Sequence, residues 1–387
     1  YATWEAGYGD FRATPDLKTL RRIPWLEATA LVLCDLSDHD GNTVAVSPRQ
    51  ILKDQLKRAE AAGFSVMMGS ELEFFLSPDT YEQVAENGFR APRTAGWYNL
   101  DYHILQTSKD EPIIRRIRNE MLGANLPIEF SKGEAAPGQH EINLRYSDAL
   151  EMADNHVVFK NGVKEIAHLE GQSATFMAKP FADQPGSSCH IHTSLWSLDG
   201  ATPLSPGDAG DGMSADFRSF VAGLVNHLAD VTLLGAPNIN SYKRYQPESW
   251  APTATVWALD NRTAGLRLVG TGPGLRIESR IPGADANPYL AFAGVIAAGL
   301  AGIEEGLDCG PPYDGNAYAA GAEGDTALTH VPWNLPDATE AFRNSEVAQK
   351  ALGEDVMFHL AHGADEEWRA FHREVSDWEY RRGYERL

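Results

Sequence analysis

Four segments of this sequence carry charged side chains on one face of a predicted strand and apolar side chains on the other. Successive side chains of a strand point to opposite faces, so residues two positions apart share a face. Glu71 and Glu73 share a face in this way, and so do His190 and His192. The same spacing relates two larger sets: Glu141, Asn143 and Arg145, and Arg276, Glu278 and Arg280. Because apolar residues alternate with them, we expect these charged faces to line a cavity.

No single one of these pairs is diagnostic, since alternating charge on a strand usually marks a solvated face. Their joint occurrence is much harder to explain without bound ions, because burying so many carboxylates and guanidiniums would be prohibitive. Carboxylates joined by a single imidazole suit Mg²⁺ or Mn²⁺ better than zinc. The charged groups are the carboxylates of Glu71, Glu73, Glu134, Glu141 and Glu278 and the guanidiniums of Arg244, Arg262, Arg267, Arg276 and Arg280.

This set of charges suits phosphoryl transfer, in which a protein mainly positions the reactants and stabilises charge. The five carboxylates and five guanidiniums cancel, so two divalent ions would balance the phosphate charges of ATP. The sequence has no Walker A motif, because its glycine-rich run Gly270–Gly274 lacks the lysine. That run alone is weak evidence for any ligand site.

The composition is that of an ordinary globular protein. The chain has 387 residues, 43% hydrophobic and 22% charged, and is long enough for more than one domain. Its net charge of -21 opposes binding to nucleic acids or anionic membranes. The cysteines, Cys34, Cys189 and Cys309, are too far apart for a disulfide framework, which predicts a reducing, cytoplasmic location. The apolar run Tyr289–Ile303 is too short to cross a membrane and predicts a buried helix.

The pattern of apolar residues predicts an α+β fold with a small first domain. A strand over Ala28–Ser37 precedes a helix from Pro48 to Gly63, which leads to a strand over Val66–Leu76. We place the domain boundary after residue 45, which gives units of 1–45 and 46–387. Further helices are predicted over Ala149–Leu169, Ala215–Leu234, Pro288–Glu305 and Glu366–Tyr384. Surface loops are predicted over Ser205–Gly212 and Asp308–Gly324.

In this order, the charged segments resemble glutamine synthetase of the bacterial type I group and its amine-ligase relatives. The resemblance runs from about Trp4 to the C-terminus and is carried by Gly69–Phe75, Glu129–Arg145, Phe176–Ser194, Asn240–Pro252, Asn261–Arg267, Arg276–Arg280 and Asn287–Ala291. It implies a remnant of an N-terminal β-grasp domain and a large catalytic domain, whose curved antiparallel sheet lines the active site. It also implies a homo-oligomer of stacked hexameric rings, a dodecamer, with active sites between neighbouring subunits.

The same resemblance implies ATP and two or more Mg²⁺ or Mn²⁺ ions as cofactors. The implied ligands of one metal are Glu73, Glu134 and Glu141, and those of the other are Glu71, His190 and Glu278. The implied ATP contacts are Glu129, His192 and Arg276. Arg262 and Arg267 would clamp the transferring phosphate as catalytic residues, and the implied amino-acid ligands are Arg244, Arg280 and Gly186. In the family, ATP phosphorylates the γ-carboxylate of glutamate, and an amine then attacks the acyl phosphate to form an amide.

Two departures from the family pattern bear on the substrates. Trp250 stands where ammonia-using enzymes carry a glutamate that holds ammonium and takes its proton. An indole cannot accept a proton, but it packs against alkyl chains and faces cations, so we expect an amine larger than ammonia. Pro185 and Ser188 flank Gly186 and alter the loop that holds the amino acid, which leaves the identity of the acid open. Tyr98, beside Trp97, is a second candidate for the amine pocket, with core packing as the alternative.

The sequence leaves three functions open. The first is a glutamate–amine ligase that makes a γ-glutamylamide, and the second is an ordinary glutamine synthetase in which another base replaces the glutamate. Trp250 favours the first. The third is a non-catalytic relative, which would be expected to have lost metal ligands, whereas all six are present here.

Overall fold

The computed structural model describes residues 7–90, 92–99, 101–318 and 328–387. The strands are β1 (Arg12–Pro15), β2 (Arg21–Arg22), β3 (Ala30–Leu31), β4 (Cys34–Ser37), β5 (Ser65–Ser77), β6 (Ile128–Gly133), β7 (Gln139–Leu144), β8 (Ser147–Asp148), β9 (Ser173–Thr175), β10 (Cys189–Trp196), β11 (Trp257–Leu259), β12 (Leu266–Val269) and β13 (Arg276–Ser279). The helices are α1 (Pro48–Ala61), α2 (Tyr81–Glu86), α3 (Ile104–Gly123), α4 (Ala149–Leu169), α5 (Ala215–His227), α6 (Thr232–Gly235), α7 (Pro288–Glu305), α8 (Leu335–Arg343), α9 (Glu346–Leu352), α10 (Glu354–His372) and α11 (Asp377–Gly383).

Within the described residues, a nine-stranded sheet runs in the order β11-β12-β13-β10-β5-β7-β6, and β8 and β9 also pair with β5. All of its pairs are antiparallel except β11 with β12. Helices α1 and α4 pack against β5, while α5 and α7 pack on each other. The predicted α+β class is confirmed, with a mostly antiparallel sheet at its centre.

The register of the sheet brings the charged faces together. Glu71 on β5 lies opposite His190 on β10 and opposite Asn143 on β7. Glu73 lies opposite Glu141 on β7. One strand further, β13 pairs with β10 and continues the row of charged side chains. The central strands therefore carry one continuous polar surface, while their other faces bury apolar side chains such as Leu72, which is only 2% exposed.

The apolar helix predicted over Pro288–Glu305 is confirmed as α7, and it is buried along most of its length. The Asn287 side chain accepts a hydrogen bond from the backbone N–H of Tyr289, and Pro288 occupies the first turn, where its missing N–H does no harm. Gly306 ends the helix with a φ of 65°, a left-handed conformation that glycine adopts freely. None of the helices in the described part of the chain is long and apolar enough to cross a membrane.

Several predicted elements differ from the structure. The single helix predicted over Ala215–Leu234 is two helices, α5 and α6, joined by a turn in which Leu228 and Val231 stay buried. Because burial continues through the turn, the apolar pattern does not reveal the break. The helix predicted over Glu366–Tyr384 is the end of α10 followed by α11, and the strand predicted over Ala28–Ser37 is the two short strands β3 and β4.

The two predicted loops and one unpredicted helix complete the comparison of predicted and observed elements. Ser205–Gly212 forms no helix or strand, as predicted, and residues 319–324 of the second predicted loop lie outside the described residues. Helix α3 has no counterpart among the predictions, and it contains Pro112, a residue type that normally interrupts a helix.

Arg49 at the start of α1 ties the N-terminal strands to the main body. Its guanidinium bonds to Asp16 at 2.9 Å, to Asp35 at 2.7 Å and to Asp154 on α4 at 2.8 and 2.9 Å. Hydrogen bonds with these carboxylates, that with Asp154 above all, raise the pKa of Arg49 despite its burial. A buried cation with several carboxylate partners is strongly held, because losing one of the charges would leave the others uncompensated.

Candidate active site

Two groups of side chains that could each hold a metal ion, called the metal-ligating groups below, lie side by side on the polar face of the sheet. One consists of Glu73, Glu134 and Glu141, and the other of Glu71, His192 and Glu278. Within each group, one ligand atom from every side chain lies within 4.8 Å of the others. Strands β5, β7, β10 and β13 supply most of these residues, so the sheet register itself sets the spacing of the groups.

The first group is short of positive charge. Burial, and then the neighbouring carboxylate of Glu134, raises the pKa of Glu73, while burial and three nearby carboxylates, Glu71 first, raise the pKa of Glu141. The backbone N–H of Ser188 donates to Glu73 at 2.7 Å. Carboxyl groups with raised pKa values ionise together more readily when a cation lies between them. An all-carboxylate donor set fits Mg²⁺ or Mn²⁺.

In the second group, neighbouring histidines offset the negative charge of the carboxylates better. His190 Nδ1 lies 3.0 Å from Glu71 and 3.4 Å from Glu278, and His192 Nε2 lies 2.7 Å from Glu71. Burial raises the pKa of Glu71, but hydrogen bonds from both histidines outweigh it and lower that pKa overall. Both imidazoles therefore reach the same carboxylate, although the family resemblance assigns only His190 to the metal.

Glu278 organises the guanidiniums of the site. It is fully buried, and it accepts hydrogen bonds from Arg280 at 2.5 Å and from Arg267 at 2.8 Å. Burial raises the pKa of Glu278, but His190 and Arg280 outweigh that effect and bring it down to about 2. Arg262 is exposed, and it forms no ion pair with any residue in the described ranges. A free guanidinium of this kind can receive an anionic group.

Arg244 is buried at the edge of the site and is only 2% exposed. Its two terminal nitrogens donate to the carbonyl oxygens of Ile281 and Arg280, at 2.9 Å each. Gly186 packs directly on it, because a Cβ at this glycine would lie 2.3 Å from Arg244 Cγ and 2.4 Å from the carbonyl oxygen of Ala178. A side chain at position 186 would therefore displace either the guanidinium or the backbone beside it.

These groups line a cavity of about 690 Å³. Among the described residues, its charged lining includes the whole first group, Glu71 and Glu278 of the second group, and the guanidiniums of Arg244, Arg262, Arg267 and Arg280. Three aromatic side chains, Tyr102, Phe130 and Trp250, also line it. Trp250 is 58% exposed, and its carbonyl oxygen accepts a hydrogen bond from Arg280 at 3.4 Å. The cavity thus combines charged side chains that suit metal ions and phosphate with an aromatic surface that suits a carbon chain.

Tyr98 is not among the cavity-lining residues. It packs edge-on against His103, with ring centroids 5.3 Å apart, and against Trp97 at 6.3 Å. Tyr102, four residues further on, lines the cavity. The sequence signal for an aromatic residue in this segment was therefore present, but the fold of the loop decides which ring faces the cavity.

A second cavity, of about 280 Å³, adjoins the first, and Glu71 and Phe130 line both. It contains the three residues that the resemblance assigned to ATP, Glu129, His192 and Arg276. Arg276 Nε donates to His192 Nδ1 at 3.1 Å. Two residues that sequence reasoning missed, Tyr146 and Trp196, line this cavity with their rings stacked at 6.2 Å.

Lys132 is a further cavity residue that the sequence reasoning missed. Its ammonium group pairs with Glu134 and lies 3.7 Å from Glu141. A signal was available, because Phe130, Lys132 and Glu134 follow the same two-residue spacing that identified the other strands.

Comparison with known proteins identifies the family of the chain. Residues 45–383 match the family model described as glutamine synthetase, catalytic domain. The chain is 49% identical over 386 residues to gamma-glutamylethanolamide synthetase GlnA4 of Streptomyces coelicolor, covering 100% of this chain and 81% of that protein. It is 38% identical over 387 residues to glutamate–isopropylamine ligase of a Pseudomonas species, covering 99% and 83%. A solved structure of a GmaS/ADP complex superposes with a TM-score of 0.88 at 31% identity, covering 97% of this chain and 86% of that one. The chain belongs to the glutamine synthetase family.

Proposed function

We propose that this protein is an ATP-dependent ligase that joins the γ-carboxylate of glutamate to an amine larger than ammonia. The observation that carries the proposal is Trp250, which lines the same cavity as the candidate metal ligands Glu71, Glu73, Glu134, Glu141, His190 and Glu278. An indole cannot take a proton from ammonium, but it offers surface to a carbon chain. The names of two relatives, an ethanolamide synthetase and an isopropylamine ligase, support the same assignment.

Two divalent cations, Mg²⁺ or Mn²⁺, fit the acidic groups in number and chemistry. We assign one to Glu73, Glu134 and Glu141, and the other to Glu71, His190 and Glu278, with His192 also in reach of Glu71. The raised pKa values of Glu73 and Glu141 support this fit, because a cation is what would allow both to ionise. When bound, such ions neutralise the phosphate oxygens of ATP and lower the barrier to phosphoryl transfer.

The smaller cavity is our candidate for the nucleotide. It brings together Glu129, His192 and Arg276, and its aromatic pair Tyr146 and Trp196 offers a flat surface of the kind that a base can stack on. Because Glu71 and Phe130 line both cavities, a nucleotide bound in the smaller one would have its phosphate end toward Glu71. This arrangement would direct the γ-phosphate to the guanidiniums of Arg262 and Arg267.

The reaction then runs in two steps. Arg244, Arg280 and Gly186 form the amino-acid end of the cavity, and a γ-carboxylate oxygen attacks the γ-phosphorus of ATP, which releases ADP. Arg262 and Arg267 stabilise the charge on the transferred phosphoryl group. The amine nitrogen next attacks the carbonyl carbon of the γ-glutamyl phosphate, and inorganic phosphate leaves as the amide forms. Trp250 packs against the carbon chain of the amine. Because an indole cannot accept a proton, the proton that the amine loses leaves on the departing inorganic phosphate.

We also propose the assembly that the family resemblance implies. Residues 1–45 would be the C-terminal part of a β-grasp domain, of which residues 1–6 lie outside the described ranges, and 46–387 would be the catalytic domain. Stacked hexameric rings, a dodecamer, would place active sites between subunits. Light scattering on a sizing column would give the mass of the assembly, and a monomer or dimer would overturn this proposal.

The test of function is phosphate release from ATP with Mg²⁺ and L-glutamate, using ammonium and then a panel of amines at equal concentrations. We expect a substituted amine to exceed ammonium by about tenfold or more in kcat/KM, equivalent to about 1.4 kcal/mol of transition-state preference. If ammonium is the better substrate, the protein is an ordinary glutamine synthetase. If no amine supports turnover with glutamate, the proposed function is overturned, and other acids become the next candidates because Pro185 and Ser188 alter the loop around Gly186.

A further inference from the structure

Lys132 on β6 connects an acidic group of the site with its aromatic lining. Its ammonium group pairs with Glu134, lies 3.7 Å from Glu141, and lies 5.1 Å from the centroid of the Tyr102 ring. Both Lys132 and Tyr102 line the same cavity as Trp250. The other cationic side chains of that lining, in the described part of the chain, are arginines grouped around the proposed phosphate and glutamate positions.

We propose that Lys132 makes this enzyme selective for monoamines whose tail is apolar or carries a hydroxyl, and excludes diamines and polyamines. This inference rests on the proposed function and concerns the end of the amine that does not react. Trp250 and Tyr102 receive the carbon chain, and Lys132 meets the group at its far end.

The first reason is that the aromatic face suited to a cationic tail is already occupied. An ammonium group binds over a ring at the distance that Lys132 has from Tyr102. A second ammonium, from a diamine, would have to share that face with a like charge. Glu134 and Glu141, the neighbouring carboxylates, already have Lys132 as a partner and are also proposed metal ligands.

The second reason is the cost of removing a charge from water. An ammonium group that contacts these rings without a carboxylate partner loses part of its hydration, whereas a methyl group in the same place gains from leaving water. A hydroxyl is also acceptable, because it can accept a hydrogen bond from one of the three N–H groups of Lys132. Butylamine and 3-amino-1-propanol should therefore be accepted, and 1,3-diaminopropane, of the same length, should be rejected.

Asp101 is the one carboxylate of the described cavity lining that belongs to neither metal-ligating group. It is exposed, and its backbone N–H donates to Asn99 rather than to a cavity residue. Solvent and salt screen an exposed carboxylate, so it attracts a cationic tail only weakly. A preference for diamines would mean that Asp101, and not Lys132, determines which amines the enzyme accepts.

The experiment compares kcat/KM for these three amines, which differ only in the terminal methyl, hydroxyl or ammonium group. In the wild type we expect both monoamines to exceed the diamine by about tenfold or more, the size of a like-charge or lost cation–π effect. In Lys132→Gln and Lys132→Met that ratio should fall by about tenfold, mainly through a lower KM for the diamine. Lys132→Arg keeps the charge and should keep the ratio.

Lys109 supplies the matched control, because its ammonium lies 4.2 Å from the centroid of Trp97 but neither residue lines the cavity. Lys109→Gln removes a lysine from an aromatic ring and should leave the amine ratio unchanged. The ratio is measured within each variant, so a general loss of activity from disturbed metal binding cancels. Thermal melting confirms that each variant is folded.

The outcomes separate this inference from the proposed function. Ammonium as the best substrate, or no turnover with any amine, would overturn the function itself. Two other outcomes would overturn the role of Lys132 alone, provided that substituted amines are better substrates than ammonium. One is a diamine that is as good a substrate as butylamine. The other is a ratio of kcat/KM for monoamine to diamine that stays unchanged in both neutral variants. If both neutral variants are inactive, inhibition of the wild-type butylamine reaction decides: the diamine should inhibit about tenfold more weakly than the amino alcohol, and equal inhibition would refute the inference.

Discussion

Arg244 positions Arg280: its Nη2 atom donates a hydrogen bond of 2.9 Å to the backbone carbonyl oxygen of Arg280. The side chain of Arg280 then extends to Glu278 at 2.5 Å and to the carbonyl oxygen of Trp250 at 3.4 Å. A buried guanidinium thus connects the amino-acid end of the cavity with the second metal-ligating group and with the loop that carries the indole. Substitutions of Arg244 should therefore affect glutamate binding more than amine binding.

Arg244→Lys should weaken both the fold and glutamate binding. A lysine keeps the charge but cannot donate to two carbonyl oxygens in the planar geometry of a guanidinium. We expect a loss of about 2 kcal/mol in unfolding free energy and a rise of about tenfold in the KM for glutamate. Urea unfolding and steady-state kinetics measure these effects. Arg58→Lys, at a surface pair with Glu304, is the control and should change neither.

Gly186→Ala should be as damaging as a substitution in the core. The added Cβ would lie 2.4 Å from the carbonyl oxygen of Ala178, which belongs to the backbone and cannot simply rotate away. We expect about 2 kcal/mol of destabilisation, from overpacking, and a higher KM for glutamate with a smaller effect on the amine. Gly210→Ala is the matched control, because a Cβ there meets nothing within 4 Å. Equal melting temperatures for the two variants would contradict this account.

Trp250→Glu should shift the preference from a substituted amine toward ammonium. The change replaces an indole with a carboxylate that can hold ammonium and accept its proton, and it removes the surface for a carbon chain. We expect the ratio of kcat/KM for butylamine to that for ammonium to fall by about tenfold or more. Trp333→Glu alters another half-exposed tryptophan, outside the cavity, and should leave the ratio as it is. An unchanged ratio in Trp250→Glu would show that the indole does not contact the amine.

Glu141→Gln should stabilise the metal-free protein and abolish its stabilisation by Mg²⁺. Burial and nearby carboxylates raise the pKa of Glu141, so a neutral amide relieves repulsion where no cation is bound. The same change removes a proposed metal ligand, and activity should fall by about a hundredfold or more. Melting curves with and without Mg²⁺ test both parts. Glu60→Gln, on the exposed side of α1, should retain the full Mg²⁺ response.

His156 should make the stability of the fold depend on pH. Complete burial lowers the pKa of His156 to about 3, and its Nδ1 atom lies 2.8 Å from the Ser70 hydroxyl. The unfolded chain, with a histidine pKa of about 6.5, therefore binds the extra proton first as pH falls, and stability is lost below that value. Between pH 6.5 and 5 the loss from this residue should be about 2 kcal/mol.

The measurement is urea unfolding at several pH values between 5 and 7 without metal. His156→Gln should be less stable at pH 7 but should lose less stability on acidification, because the amide does not titrate in this range. Taking the difference between wild type and variant cancels the contributions of the acidic cavity residues. His39→Gln removes an exposed histidine and serves as the control. Parallel pH profiles for wild type and His156→Gln would rule out this source of the dependence.

Local pattern was enough to predict much of the candidate site. The alternation of side chains along a strand is a property of the strand alone, so the sequence could show that Glu71 and Glu73 share a face and that His190 and His192 do so. The motifs that carry the resemblance also identified the family and the α+β class. The long helix α7 was equally predictable, because Asn287, Pro288 and an uninterrupted apolar run mark it locally.

Only the tertiary structure decided which of these faces meet. The pairing of Glu71 with His190 joins strands separated by more than a hundred residues, and no local preference encodes a register of that kind. The same limit applies to Tyr98 and Tyr102, since the loop backbone, which is left-handed at Tyr102 with a φ of 64°, determines which ring lines the cavity. Lys132 was visible in the sequence, but its position between Glu134 and Tyr102 depends on the packing of a loop against β6. Sequence alone thus determined the chemistry of the residues, and long-range packing determined their neighbours, because contacts between distant segments are set by the whole core.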